Sequence, residues 1–435
     1  MSPPAAEAVR PGAALRAALE RGLAAAPGPV LGVAVSGGGD SVALLRLARD
    51  WAAGAGRRLA AITIDHGLRP EAAAEAEAVA RLCADWRIPH AIRRWDDPRG
   101  AGNLQDRARA ARRRLIAAWA AEAGIAAVAL GHTRDDQAET FLLRLARGSG
   151  VDGLAAMAPA TRAEGVLWLR PLLDIDRASL RAMLRAEGIP WAEDGSNADL
   201  RFDRIRMRSA LPGLAGLGLG PARLAATAAA MGRARAALEA ATAELAARAA
   251  RPQPFGDVTL DPGGMAAAPE ELRLRLLSGT LAWVAGSRYR PRLARVVEAD
   301  ALIGAGRSFH GLTLHGCVLR PVRGGIAVRR EPARAGPAVA AGEGCWDNRW
   351  TIDSAPPPGL TPGLTLGALG PDGLAQAPNW RGLGVSRETL VTTPALRDGG
   401  QIRASLLPGL GRYLDARRVA PLTPPWGNGA DHPPP

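Results

Sequence analysis

The sequence predicts an α/β fold: a doubly wound parallel sheet followed by helical and α+β C-terminal domains. Three observations carry this. Short apolar runs alternate with helical patterns from Val30 to about Pro212, as strands and crossover helices do in a parallel sheet. A glycine-rich turn, SGGGDS (36–41), lies between the first strand and the first of these helices. After GLAGLGLG (213–220) the alternation gives way to a long Ala-rich helical pattern.

Taken in order, VLGVAV (30–35) reads as a buried strand and VALLRLARDWAA (42–53) as its helix. LAAITI (59–64) is a second strand and EAAAEAEAVARLCADW (71–86) a helix. AAVAL (126–130) is another strand, and QAETFLLRLARG follows it as a helix. Continuous apolar strands of this kind are covered on both faces, and ligands bind at their carboxyl ends. Residues 221–250 continue as a helix, with further helices near 269–284 and 291–303. Glycine-broken hairpins are expected over 308–330, and 332–344 reads as a Pro/Gly/Ala linker. The expected layout is a lead-in segment over 1–25, a catalytic domain over 26–213, and a helical/β domain over 220–335. A small unit over 345–420 and a disordered tail over 421–435 complete it.

The 435 residues carry a net charge of +13, and all 55 basic side chains are arginine. A GC-rich composition accounts for the absence of lysine. It accounts less well for the excess over acids, which points toward a polyanion such as nucleic acid. Residues 1–218 hold 30 arginines against 25 acids, and the remainder holds 25 against 17. No apolar run is long enough for a membrane helix, and the N-terminus has no secretory h-region. Cys83, Cys317 and Cys345 form neither a disulfide framework nor a metal cluster. The expectation is a cytoplasmic protein without a membrane partner.

Ser36-Gly37-Gly38-Gly39-Asp40-Ser41 carries the most chemistry. Glycines at a strand–helix junction let backbone N–H groups turn inward as an anion nest, and the helix N-terminus adds positive potential. Both serine hydroxyls can donate to phosphate, and Asp40 can hold Mg²⁺ on a pyrophosphate. No lysine follows, which excludes the Walker A pattern. Farther along, IDHGLR (64–69) ends the second strand, where Asp65 can bind the ribose of ATP, order the site or simply cap a strand-end turn. In GHTRDDQAETFLLRLARGSGVDGL (131–154), His132, Asp135, Asp136 and Glu139 cluster within two helical turns. Asp135 or Asp136 can also cap the helix, which accounts for one carboxylate but not for all four polar groups. DGSNADLRFDRIRMRSALP (194–212) brings Arg201, Arg204, Arg206 and Arg208 close together, a spacing that suits contact with RNA phosphates better than a merely solvated helix face.

The loop resembles that of the PP-loop ATP pyrophosphatases, and the later strings narrow the resemblance to the tRNA(Ile)-lysidine synthetase family. It spans Val30 to Pro212 closely. It continues more weakly in Arg290-Pro291-Arg292, Thr313 to Cys317 and Arg330-Glu331-Pro332. One departure is that Gln105 and Arg113 stand where the family has Glu and Tyr, while Arg109 and Arg112 match. The resemblance implies ATP and Mg²⁺ at Ser36 to Ser41, and Asp65 at the nucleoside. Arg109 is implied at a phosphate or intermediate, and His132, Asp135, Asp136 and Glu139 around the reaction centre. One of those carboxylates would pair with the ammonium of free L-lysine. The implied partner is the isoleucine tRNA with anticodon CAU, and family precedent permits a homodimer. The alternatives are a PP-loop tRNA thiolase and a catalytically inactive RNA-binding relative.

Overall fold

The computed structural model describes residues 11–67, 71–95, 104–193, 203–287, 289–305, 310–341, 345–352, 363–377, 379–414 and 416–418. Arg201, Ser196, Asn197 and the tail over 421–435 lie outside the described residues. The chain forms two compact units that divide between Arg235 and Ala236.

The first unit begins with α1 (Pro11–Leu23), β1 (Val30–Ala34), α2 (Gly39–Gly54), β2 (Arg58–Asp65), α3 (Glu71–Asp85) and β3 (His90–Arg94). It continues with α4 (Leu104–Glu122), β4 (Ala127–Leu130), α5 (Arg134–Ala146), α6 (Val151–Leu154), β5 (Ala160–Ala163) and β6 (Val166–Leu169). Then come α7 (Arg177–Ala186) and α8 (Asp203–Gly216), and α9 (Pro221–Ala249) starts in the same unit. The sheet order is β3-β2-β1-β4-β6-β5. All neighbours pair in parallel except the edge hairpin β5–β6. The parallel α/β architecture is the one the sequence predicts. The stretch 213–220 holds the end of α8 and the short link to α9, and the units divide farther on.

The alternation of side chains along β1 builds two cores. Leu31 and Val33 face α1, α2 and α7, packing with Leu15, Leu19, Leu44, Leu180 and Leu184. Ala34 faces the other side with Ile62, Val128, Ile116, Trp119 and Trp168. Each fully buried leucine contributes about 2 kcal/mol of transfer free energy. Gly32 is small because a Cβ there would lie 3.0 Å from Val128 and 3.1 Å from Trp119.

Strand order reverses between β1 and β4, since β2 and β3 lie to one side and β6 and β5 to the other. A crevice therefore opens at the carboxyl ends of β1 and β4. The glycine loop leaves β1 there, and Gly131-His132-Thr133 leaves β4. The two turns touch. A Cβ on Gly131 would lie 3.0 Å from the carbonyl oxygen of Asp40 and from the Cα and N of Ser41.

In the second unit, a five-stranded antiparallel sheet runs Ala250–Pro252, Val258–Leu260, Gly325–Arg330, Cys317–Val322, Leu312–Leu314. The helices Glu270–Ala285 and Leu293–Gly304 share its core. A further five-stranded sheet and a three-stranded sheet follow. Trp346 and Trp350 are buried there with Leu366, Leu396 and Leu414.

Gly131→Ala should destabilise the first unit by about 1–3 kcal/mol, because rigid backbone must move to admit one methyl group. Urea denaturation checks this, and a change below about 0.5 kcal/mol would contradict the tight approach.

Candidate active site at the carboxyl ends of β1 and β4

The glycine loop is built for an anion. Gly37 has φ +86°, which glycine adopts without steric cost. Gly38 caps α2, so no N-cap side chain occupies the first amides of this 16-residue helix. The loop is braced by Ser41, whose Oγ donates to the Gly38 carbonyl at 2.8 Å and accepts from the Ser36 N–H at 3.1 Å. The two serine hydroxyls lie 3.2 Å apart. The Ala192 N–H donates to the Gly37 carbonyl at 2.9 Å.

Across the crevice, Thr133 and Asp136 form a capping box at the start of α5. Asp136 Oδ2 accepts from the Thr133 N–H and hydroxyl, both at 2.8 Å. The capping reading of this carboxylate thus holds for one oxygen. The other oxygen accepts from Arg177 Nη2 and Arg204 Nη2, each at 3.2 Å. Glu139 is wholly buried. Its Oε1 accepts from Arg208 Nε at 2.8 Å, with Arg177 Nη1 at 3.5 Å, and its Oε2 accepts from Arg204 Nε at 3.0 Å. A buried carboxylate requires such partners.

Arg177 joins the two sides of the site. Its Nε donates to Asp40 Oδ2 at 2.8 Å, while its Nη atoms reach Asp136 and Glu139. Its own backbone N–H donates to Asp135 Oδ2 at 2.9 Å. The surrounding carboxylates Asp136, Asp40 and Glu139 hold this guanidinium firmly charged, against the cost of burial. The sequence reading missed Arg177. The available signal was its place at the first position of α7, behind the N-cap Asp176. A cation there opposes the helix dipole and so needs carboxylates nearby.

His132 lies in this cluster with a buried Nδ1 that has no hydrogen-bond partner. Burial pushes its pKa down from 6.5, and the charges of Arg170, Arg204 and Arg112 add to the effect against the pull of Asp136. The imidazole is therefore neutral near pH 7. Asp136 is held below the ordinary carboxylate value; burial opposes this, but Arg204, His132, Arg177 and the Thr133 amide outweigh it.

The remaining expected residues are placed as follows. Asp65 ends β2, and its Oδ1 accepts the Gly67 N–H at 2.8 Å. Arg109 is exposed on α4, and its charge acts on Arg112. Arg206 is exposed and pairs with Asp203. Arg204 and Arg208, read from the sequence as RNA-phosphate contacts, pair with Asp136 and Glu139.

Residues 14–214 match the PP-loop domain family. The tRNA(Ile)-lysidine synthase of Ruegeria pomeroyi is 45% identical over 381 residues, covering 87% of this chain and 89% of that protein. That of Methylobacterium nodulans is 44% identical over 330 residues, covering 72% of this chain and 93% of that protein. A third, from Methylobacterium sp. strain 4-46, is 45% identical over 314 residues, covering 69% and 89%. The chain belongs to the tRNA(Ile)-lysidine synthase family.

A tRNA(Ile)-lysidine synthase fold of this kind offers one carboxylate suited to a divalent cation beside the loop. Asp40 Oδ1 is buried without a hydrogen-bond partner. Burial lifts the Asp40 carboxyl above its ordinary value, more than Arg177 pulls it down. A carboxylate so placed gains by meeting a cation. No group of three or more His, Cys, Asp or Glu side chains suited to a metal occurs among the described residues. Mg²⁺ held here would take Asp40 plus phosphate oxygens and water, as this ion does in nucleotide sites. No single helix among the described residues is long and apolar enough to cross a membrane.

The state of His132 has a pH consequence. Because its pKa is lower folded than unfolded, the unfolded chain binds more protons as pH falls below 6.5, and the fold loses stability there. His132→Asn should remove part of this acid-side loss. Denaturation midpoints measured at intervals from pH 7 to 4 check this, and identical slopes for both proteins would contradict a buried neutral imidazole.

Proposed function

We propose that this chain ligates free L-lysine to the wobble cytidine of the isoleucine tRNA with anticodon CAU, using ATP and Mg²⁺ and producing lysidine. The observation that carries the reading is the 45% identity to the Ruegeria pomeroyi tRNA(Ile)-lysidine synthase across 89% of that protein. The loop at 36–41 and the polar cluster facing it supply the chemistry.

The reaction runs in two steps. The cytosine 2-carbonyl oxygen attacks the α-phosphorus of ATP, and pyrophosphate leaves. The lysine ε-amine then attacks the activated carbon, and AMP leaves. Both steps need positioning and charge stabilisation more than a protein nucleophile. The amides and hydroxyls of Ser36 to Ser41 hold the phosphates, and Asp40 would hold Mg²⁺, which when bound would neutralise phosphate charge. Arg177 fixes Asp40 relative to Asp136. Neutral His132 presents a hydrogen-bonding nitrogen to the base or the amine.

Of the carboxylates, Glu139 is committed to three arginines and Asp136 to two arginines and the Thr133 cap, so the ammonium of lysine is better matched to Asp135. Asp65 is suited to the ribose and Arg109 to a phosphate. With Arg204 and Arg208 engaged inside the site, exposed Arg206 is the clearest candidate for an RNA-phosphate contact among the described residues. The C-terminal region, expected from the sequence as domains over 220–335 and 345–420, is the proposed tRNA selector. It exposes Tyr289, Leu293, Arg292 and Arg295 close together in sequence, a mixture of aromatic and cationic groups suited to RNA. A cytoplasmic setting and a homodimer accord with this reading.

Thiolation is the weaker alternative. It needs a reactive thiol, and Cys83 is fully buried with its pKa pushed up to about 11 by burial.

The test is incubation of the full chain with MgATP, radiolabelled lysine and CAU-anticodon isoleucine tRNA. Label should enter this RNA and not the methionine tRNA that shares the anticodon. Asp40→Ala should lower the rate by about a hundredfold or more. No label from folded wild-type protein would refute the reading, and full activity of Asp40→Ala would refute the role of Asp40.

A further inference from the structure

The glycine loop has no lysine, so a cation for the phosphates must come from elsewhere in the fold. Helix α7 carries arginines at 177, 181 and 185, one turn apart on one face. The outer two are committed. Arg177 is bound to Asp40, Asp136 and Glu139. The guanidinium of Arg185 stacks on the Trp191 ring, 5.6 Å from its centroid. That ring in turn lies against Gly39, where an added Cβ would be 3.3 Å from Trp191 Cδ1.

Gly39 and Asp40 are the first two residues of α2. The arginine between the committed pair is therefore bracketed by contacts to the first turn of that helix. Side chains on a helix lean toward its N-terminus, which carries Arg181 back over the turn of Arg177, toward the loop. Its positive charge acts on Asp40. Its Nε is buried without a hydrogen-bond partner, and among the described residues no carboxylate pairs with it.

We propose that Arg181 is the cation that binds the β- and γ-phosphates of ATP and receives them as the leaving pyrophosphate. This rests on the ATP-dependent reading above. As the cytidine oxygen–phosphorus bond forms, the bond from the α-phosphorus to its bridging oxygen breaks. The electron pair stays on the pyrophosphate oxygen, and no proton is required from Arg181. The arginine offers a bidentate, permanently charged donor for that oxyanion. It does for this loop what the lysine does in a Walker A loop.

The test measures binding of magnesium pyrophosphate and of AMP to the full chain by titration calorimetry. The proteins are the wild type, R181A, R181K and R185A. R181A should weaken pyrophosphate binding about tenfold or more and leave AMP binding unchanged, since AMP lacks the outer phosphates. R181K should retain more pyrophosphate affinity than R181A, and R185A should lose less than R181A. Unchanged pyrophosphate affinity in R181A would overturn the assignment. So would an equal loss of AMP and pyrophosphate, which marks a general disturbance of the site. A wild type that binds neither ligand would instead refute the nucleotide reading, and this proposal with it.

Discussion

The burial of Glu139 is the constraint around which the first unit is arranged. A carboxylate with no exposure must be paired, and this one is enclosed by Arg177, Arg204 and Arg208. Those three cations come from α7 and α8, while Glu139 belongs to α5. One buried charge thus holds three helices together. Removing it would strand partly buried arginines, and breaking such a group on one side is strongly destabilising. A hydrophobic cluster of Phe141, Leu211 and Leu224 lies beside these helices and adds apolar packing. The ionic group supplies the geometry.

That arrangement also sets the chemistry. Arg177 reaches Asp40 with one nitrogen and Asp136 with another, so the loop after β1 and the helix after β4 share a guanidinium. The close approach at Gly131 keeps the same two turns in contact through the backbone. The crevice between them is therefore defined twice, once by sterics and once by charge. A reaction without a protein nucleophile needs this rigidity, because the site contributes by holding its groups where charge develops.

The sequence displayed part of this and concealed the rest for physical reasons. β1, β2 and β4 are continuous apolar runs, so hydrophobicity alone marks them. β3 was not marked: HAIRR is an edge strand with Ile92, Arg93 and Arg94 exposed, and it lacks the apolar run of its neighbours. The acidic cluster was visible because His132 to Glu139 are neighbours in sequence. Its cations were not, since Arg177 lies 137 residues from Asp40 and 41 from Asp136. Arg204 and Arg208 were visible as a charged run but were assigned outward to RNA. Local composition cannot reveal a partner 65 to 69 residues away. The absence of lysine hid nothing. Arginine supplies every basic side chain in the site, with the planar fork that lets one residue bind several carboxylates at once.

A double-mutant cycle between Glu139 and Arg208 tests the central claim most directly. Unfolding free energies are measured for the wild type, Glu139→Gln, Arg208→Gln and the double variant. The account predicts that Glu139→Gln alone costs about 3 kcal/mol. It also predicts that the double variant is less destabilised than the sum of the singles, with a coupling of about 1 kcal/mol or more. Additive losses, within about 0.5 kcal/mol, would contradict the claim that this buried charge group organises the site.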